Sequence, residues 1–186
     1  MAQQPDPRTH WNERFAAPGY RFGTAPNRFL ESQKHRLRAG QRALAVADGE
    51  GRNGVWLARQ GLAVTSVDIS PVGQEKARAL AKEAGVALDV FEADLAAWAW
   101  PAAAYDVVAA IFIQFAPPDL RARIFRSIEA ALRPGGGGCV SKKPAAVMCS
   151  VTAPTTCPPR RIGKAAMARV PTRSPRSRHG RVASVA

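Results

Sequence analysis

The chain has 186 residues, and its 27 Lys and Arg against 14 Asp and Glu give a formal charge of +13. That length suffices for one domain with a substantial core; no stretch approaches the roughly 18 consecutive apolar residues of a membrane span, and the polar start MAQQPDPRTHWNER lacks the apolar run of a signal peptide, so a soluble cytoplasmic protein is expected. The charge does not by itself make the chain a nucleic-acid binder, because all acidic residues lie at or before Glu129 and residues 1–138 are nearly balanced.

In chain order, RALAV (42–46) is a short apolar run ending at a glycine loop, and NGVWLARQG then reads as a helix with Gly61 at its C-terminus. LAVTSVD (62–68) is a second strand. Ser70 and Pro71 have the cap and first-turn chemistry of a helix start, so VGQEKARALAKEAG is a helix running to Gly85. VALDVFEAD and YDVVAAIFIQF follow as strands three and four. PPDLRARIFRSIEAALRPGG is a helix with Leu120, Ile124, Phe125, Ile128 and Leu132 on one face, ended by Pro134 and the glycines. Strict alternation of strand and helix predicts an α/β fold, a parallel sheet with helices on both faces and ligands at the carboxyl ends of the strands.

The loop VADGEGRNG carries a Gly-x-Gly-x-x-Gly run at Gly49, Gly51 and Gly54, directly after Asp48. A dinucleotide fold has such glycines after strand one and an acid about 20 residues on, which Asp68 supplies. The glycines alone are equally compatible with a tight strand-to-helix turn. Asp48 separates the ligands: a carboxylate beside a pyrophosphate costs on the order of several kcal/mol in a low-dielectric site, whereas an ammonium group is attracted to it. S-adenosylmethionine carries an ammonium group, a ribose diol and an adenine, and no phosphate. Acids after strands one, two and three, at Asp48, Asp68 and Asp94, would meet those parts in order. Each also has a purely structural alternative: Asp48 could cap the helix at 53, Asp68 the helix at 71, and Asp94 could close a turn.

With VADGEGRNG, VTSVDIS, EADL and LRPGG in this order and spacing, the chain resembles a class I S-adenosylmethionine-dependent methyltransferase over about residues 10–138. Its N-terminal HWNERFAAPGYRFGTAPNRFL is similar to that of the small bacterial tellurite-resistance methyltransferases and their thiopurine-methylating relatives. The resemblance implies a Rossmann-like fold in three parts: a helical lid over residues 1–40, a cofactor-binding core over 41–138 and a basic tail over 139–186. It also implies roles. Gly49, Gly51 and Gly54 form the cofactor loop, Asp48 anchors the ammonium directly or through water, and Asp68 accepts hydrogen bonds from both ribose hydroxyls. Asp94 receives the adenine amino group, with the Leu95 amide facing a ring nitrogen. The expected acceptor is a small molecule and the expected state a monomer, with no membrane partner.

Methyl transfer from a sulfonium is an in-line displacement in which charge is lost, so alignment and a dry pocket supply much of the acceleration. No nucleophile and base pair is evident, and His10, His35 and His179 are isolated. No catalytic residue is assigned; Trp11, Tyr20, Phe22, Phe112, Gln114 and Phe115 are candidate pocket walls, with ordinary packing the expectation for Phe22 and Phe115. Trp98 and Trp100 either lie near the adenine or close the loop.

Residues 139–186 have no acid and no aromatic, six of the 15 prolines and all three cysteines. Such a segment has little apolar surface to offset the entropy of ordering, which predicts disorder. The spacing of Cys139, Cys149 and Cys157 matches no metal pairing. The family's seven-stranded sheet needs a fifth apolar strand after LRPGG, but GGGGCVSKKPAAV stands there, with AVMCSV and RIGKAAMARV the only candidates for a short strand and helix. A sheet incomplete at its C-terminal strands follows, with strand four at an open edge. Translation of GC-rich DNA in a shifted frame from about residue 137 would produce this composition, leaving an inactive methyltransferase. A nucleic-acid-binding protein, or an RNA methyltransferase using the basic tail, is the alternative.

Overall fold

The computed structural model describes residues 6–141 and 146–150. The chain divides into a unit over Met1–Ala153 and a second over Pro154–Ala186, which lies outside the described residues together with Cys157, His179 and RIGKAAMARV.

Helix α1 (Pro7–Phe15) is capped by Asp6, whose carboxylate accepts from the Thr9 amide. A short α2 (Arg28–Ser32) is capped in the same manner by Asn27. The alternation then begins: β1 (Arg42–Val46), α3 (Arg52–Arg59), β2 (Ala63–Asp68), α4 (Pro71–Glu83), β3 (Asp89–Glu92), β4 (Tyr105–Ile111), α5 (Pro118–Ala131), β5 (Leu132–Ser141) and β6 (Ala146–Ser150). The caps are those the sequence signals. The Ser70 hydroxyl accepts from the Gly73 amide at the start of α4, and Gly61 (φ +83) and Gly85 (φ +66) follow α3 and α4 in the left-handed conformation that a side chain disfavours.

The sheet order is β3-β2-β1-β4-β5-β6, parallel from β3 through β5, with β6 antiparallel to β5. Alternate residues of each central strand enter opposite layers. Leu44, Val46, Val108 and Ala110 pack with Ile124, Ile128 and Ala131 of α5, whereas Ala43, Ala45, Val107, Ala109 and Ile111 pack with Leu57 of α3 and Leu30 of α2. Strands buried on both faces explain the near-continuous apolar runs.

The expected open edge at β4 is corrected by β5, which pairs along it from Val107↔Gly137 to Ile111↔Ser141. AVMCSV contributes β6, with Gly138 opposite Cys149 and Cys139 opposite Met148. The ladder is made by backbone amides and carbonyls, which glycine retains, so a strand can form without the apolar pattern that betrays it in sequence. The described sheet thus has six strands. Helix α5 ends at Ala131, before Pro134: Leu132 is already extended (φ −74, ψ 138), and Arg133 stands before the proline, where helical backbone is disfavoured. Strand four stops at Ile111 rather than Phe115, because Phe112 turns left-handed (φ 59) and Ile113–Phe115 form a 3-10 turn. Strand three is confined to Asp89–Glu92.

Candidate functional site

Three neighbouring parallel strands, β1, β2 and β3, deliver Asp48, Asp68 and Asp94 to the same end of the sheet. Backbone bonds tie these ends together: the Asp48 amide donates to the Val67 carbonyl, and the Ala93 amide to the Asp68 carbonyl. The Gln74 side chain of α4 donates to the carbonyls of both Asp68 (2.7 Å) and Phe91 (2.6 Å), fixing β2 against β3.

Asp68 sits at the centre. Its Oδ2 accepts from the Gly49 amide at 2.8 Å and its Oδ1 from the Ser70 amide at 2.9 Å. Each oxygen keeps one lone pair, so the carboxylate can accept two further hydroxyl donors. Burial pushes its pKa up, against the amides of Ser70, Gly49 and Ile69. Asp48 is turned toward α3: both oxygens approach the Gly54 amide (3.0 and 3.2 Å), and the Ser66 hydroxyl donates to Oδ2 at 3.0 Å. Burial raises its pKa to about 6, although Ser66 and Gly54 oppose the shift. Its capping role at the first turn of α3 is therefore realised. Asp94 is exposed and closes a turn, its Oδ1 accepting from the Ala96 amide at 2.8 Å. Leu95, next in the chain, rests its side chain on the α5 layer, as do Trp98 and Trp100, which contact each other at 4.8 Å between ring centroids.

The glycines are demanded by the chain's own packing. At Gly49 a Cβ would come within 2.8 Å of Cζ of Phe15, at Gly51 within 2.6 Å of Cβ of Ala77, and at Gly54 within 2.4 Å of Oδ2 of Asp48. Phe15 is the N-terminal residue that sequence reasoning missed: it is buried, and its ring covers both Gly49 and Gly73. Several polar contacts hold the same segment down. Ser70 Oγ donates to Asn12 Oδ1 at 2.6 Å, Arg52 to the Phe22 carbonyl at 2.9 Å, and the Asn27 amide to Asn53 Oδ1 at 2.9 Å. Glu50, in the middle of the glycine loop and buried, accepts from the Arg21 amide (2.7 Å) and pairs with Lys76 (3.0 Å). Lys76 also donates to the carbonyls of Ala17 and Gly19, both at 2.7 Å. An acid and a lysine 26 residues apart carry no local pattern, which is why neither stood out.

Of the aromatic candidates, Trp11 stacks on Phe15 (5.5 Å) and meets the edge of Phe115 (5.6 Å), joining α1 to the turn after β4. Phe22 contacts Phe15 edge-on. Phe22 and Phe115 are 48% and 49% exposed, so of the ordinary packing roles, core or staple, expected of them, the core one is excluded and each instead meets a single ring of α1. Phe112 is 38% exposed in its left-handed conformation, a costly one for a bulky residue, and Gln114 lies in the same turn. Tyr20 goes elsewhere: its hydroxyl donates to the Lys76 carbonyl, and its ring packs on the cluster of Val55, Leu80 and Ala81.

A doubly wound sheet with buried acids after its first two strands, neither of them ion-paired among the described residues, defines a Rossmann-like domain suited to a nucleoside bearing positive charge. The chain belongs to the methyltransferase domain family, whose model, described as "Methyltransferase domain", matches residues 43–136. Membership implies S-adenosylmethionine as the cofactor, and the donor set fits it: Asp68 has acceptor capacity left for a diol, and Lys76, the lysine that meets the loop among the described residues, is engaged with Glu50 and two carbonyls.

Solved structures agree on the fold. The 4+2 cyclase SpnF is 27% identical, with 61% of this chain and 43% of that chain covered and a TM-score of 0.55. A Pyrococcus horikoshii protein is 24% identical, covering 61% and 54%, with a TM-score of 0.56. An S-adenosylmethionine-dependent methyltransferase of Mesorhizobium loti is 24% identical, covering 59% and 51%, with a TM-score of 0.52. The chain spans about half the length of these proteins. Among curated proteins none matches the sequence. No helix among the described residues is long and apolar enough to cross a membrane.

Proposed function

We propose that the chain binds S-adenosylmethionine at the carboxyl ends of β1–β4 and serves methyl transfer to a small-molecule acceptor. The observation that carries this reading is Asp68, a buried carboxylate held by two amides with one lone pair free on each oxygen. It would hold the ribose diol, Asp94 the adenine amino group beside the Leu95 amide, and Asp48 the ammonium. Because both Asp48 oxygens already accept from Gly54 and one from Ser66, that contact runs through the remaining lone pairs or a bridging water. When bound, the cofactor supplies a methyl group on a sulfonium, which any aligned nucleophile can displace. The chain's part is to bind, align and exclude water: Phe15 covers the glycine loop, and Trp11, Phe112 and Phe115 give the acceptor side an aromatic lining. A thermal shift with S-adenosylhomocysteine, lost in Asp68→Ala and not produced by NADH, is the expected result; a shift with NADH instead would refute the assignment.

The acceptor belongs with the soft or heterocyclic nucleophiles of the tellurite-resistance and thiopurine-methylating enzymes, supported by the similarity of HWNERFAAPGYRFGTAPNRFL and by the Trp11 and Phe115 rings that meet at the turn after β4. Residues from about 137 onward are read as out of frame, on the loss of acids after Glu129 and of aromatics after Phe125. Reading the coding DNA in its other frames tests this: an apolar strand continuing LRPGG supports it, and none in either frame refutes it.

A further inference from the structure

We propose that Arg14 receives the carboxylate of the cofactor's methionine end, an inference that rests on the S-adenosylmethionine reading. The cofactor is a zwitterion at that end. Asp48, Asp68 and Asp94 answer its ammonium, ribose and adenine, but none can answer the carboxylate, which needs a cationic or amide donor.

Of the cations on and around the glycine loop and its cover, all but one are engaged or turned to solvent: Arg8 of α1 pairs with Glu92, and Arg21 is exposed with its guanidinium 5.9 Å from the Phe22 ring centroid. Lys76 has three N–H donors and three acceptors: Glu50 at 3.0 Å and the carbonyls of Ala17 and Gly19 at 2.7 Å. Arg52 donates to the Phe22 carbonyl and lies over the Phe22 ring, 5.7 Å from its centroid. Arg14 remains. Its Nε is buried with no hydrogen-bond partner, and it is in none of the ion pairs found among the described residues. A buried donor without an acceptor is rare in a folded protein and calls for a partner from outside the chain.

The position is right for one. Arg14 stands in the last turn of α1, next to Phe15, whose ring rests on Gly49 and Gly73, so this end of α1 overlies the loop that takes the cofactor's amino-acid end. The guanidinium lies 5.4 Å from the Trp11 ring centroid, and Trp11 in turn stacks on Phe15. That stacking orients the planar fork for a two-point contact with a carboxylate.

The test is calorimetric titration of the full chain with S-adenosylhomocysteine and with its decarboxylated analogue, which keeps the ammonium group and loses the carboxylate. The wild type should prefer S-adenosylhomocysteine by about tenfold or more, as expected of a charge-assisted pair. Arg14→Met, which keeps an apolar stem on Trp11, should bind both ligands equally, and Arg14→Lys should recover part of the preference. A wild type that binds both alike, or an Arg14→Met protein that keeps the preference, overturns the inference alone. A wild type that binds neither overturns the cofactor reading and this inference with it. Should Arg14→Met fail to fold, the wild-type comparison and Arg14→Lys still decide.

Discussion

Asp48→Asn separates what the first acid does for the fold from what it does for a ligand. Burial lifts the Asp48 pKa from 3.8 to about 6, and at about 1.4 kcal/mol per unit the buried ionised carboxylate costs the folded state roughly 3 kcal/mol at neutral pH. The folded protein thus holds this proton more tightly than the unfolded chain. The stability the group contributes is fully present below about pH 4 and is lost as pH rises through 6. Asparagine mimics the protonated form: its Oδ1 can still accept from Gly54, as Asp48 Oδ1 does at 3.2 Å, and its Nδ2, in the place of Oδ2, can donate to a Ser66 hydroxyl that turns to accept. Urea denaturation of the ligand-free protein should therefore show Asp48→Asn more stable than wild type by up to about 3 kcal/mol at pH 7.5, and by only about 1 kcal/mol at pH 4.5. Yet the variant should bind S-adenosylhomocysteine more weakly, because the neutral amide attracts no ammonium. An equal gain at both pH values, or none at pH 7.5, would refute the buried-charge argument; unchanged ligand affinity would leave Asp48 as a cap only.

The same titration predicts that wild-type affinity for S-adenosylhomocysteine falls about tenfold from pH 7.5 to pH 5, one unit below the Asp48 pKa, and that this dependence vanishes in Asp48→Asn; calorimetry at the two pH values measures it. Gly51→Ala puts a Cβ 2.6 Å from Cβ and 2.8 Å from Cα of Ala77 at φ +86, so a loss of about 2–5 kcal/mol in urea unfolding is expected. Lys76→Met leaves Glu50 buried without its cation and frees the carbonyls of Ala17 and Gly19; it should cost about 3 kcal/mol and speed proteolysis within residues 1–40, with Glu50→Gln added to it restoring part of the stability.

The central sheet was legible because its signals are local. RALAV and YDVVAAI are apolar on both faces, and Ser70, Gly61 and Gly85 mark helix ends within one turn. What was illegible depends on groups that are distant or have no side chain. Four consecutive glycines hide β5, whose pairing with β4 is a property of the backbone. The left-handed turn at Phe112 has no sequence signal, since glycine or asparagine would be the usual choice there. At the site, the three acids stood out because each follows a strand. Their supports did not: Gln74 bridges to a carbonyl 17 residues away, and Lys76 reaches back 59 residues to Ala17.

The glycine loop shows how one motif can serve two ligand classes. In a dinucleotide fold the absent side chains let a pyrophosphate approach the backbone. Here the space each side chain would need at Gly49, Gly51 and Gly54 is taken by Phe15, Ala77 and Asp48 of the same chain. The glycines therefore fix the packing of α1, α3 and α4 around the loop and do not, on their own, select a ligand. Selection is left to charge. The Gly49 amide, which would point at a phosphate in a dinucleotide site, is turned onto Asp68 at 2.8 Å, and the Gly54 amide onto Asp48. With these two amides spent on carboxylates, the loop offers fewer donors to a phosphate and carries a buried negative potential, a combination that favours a cationic methyl donor over a phosphorylated coenzyme.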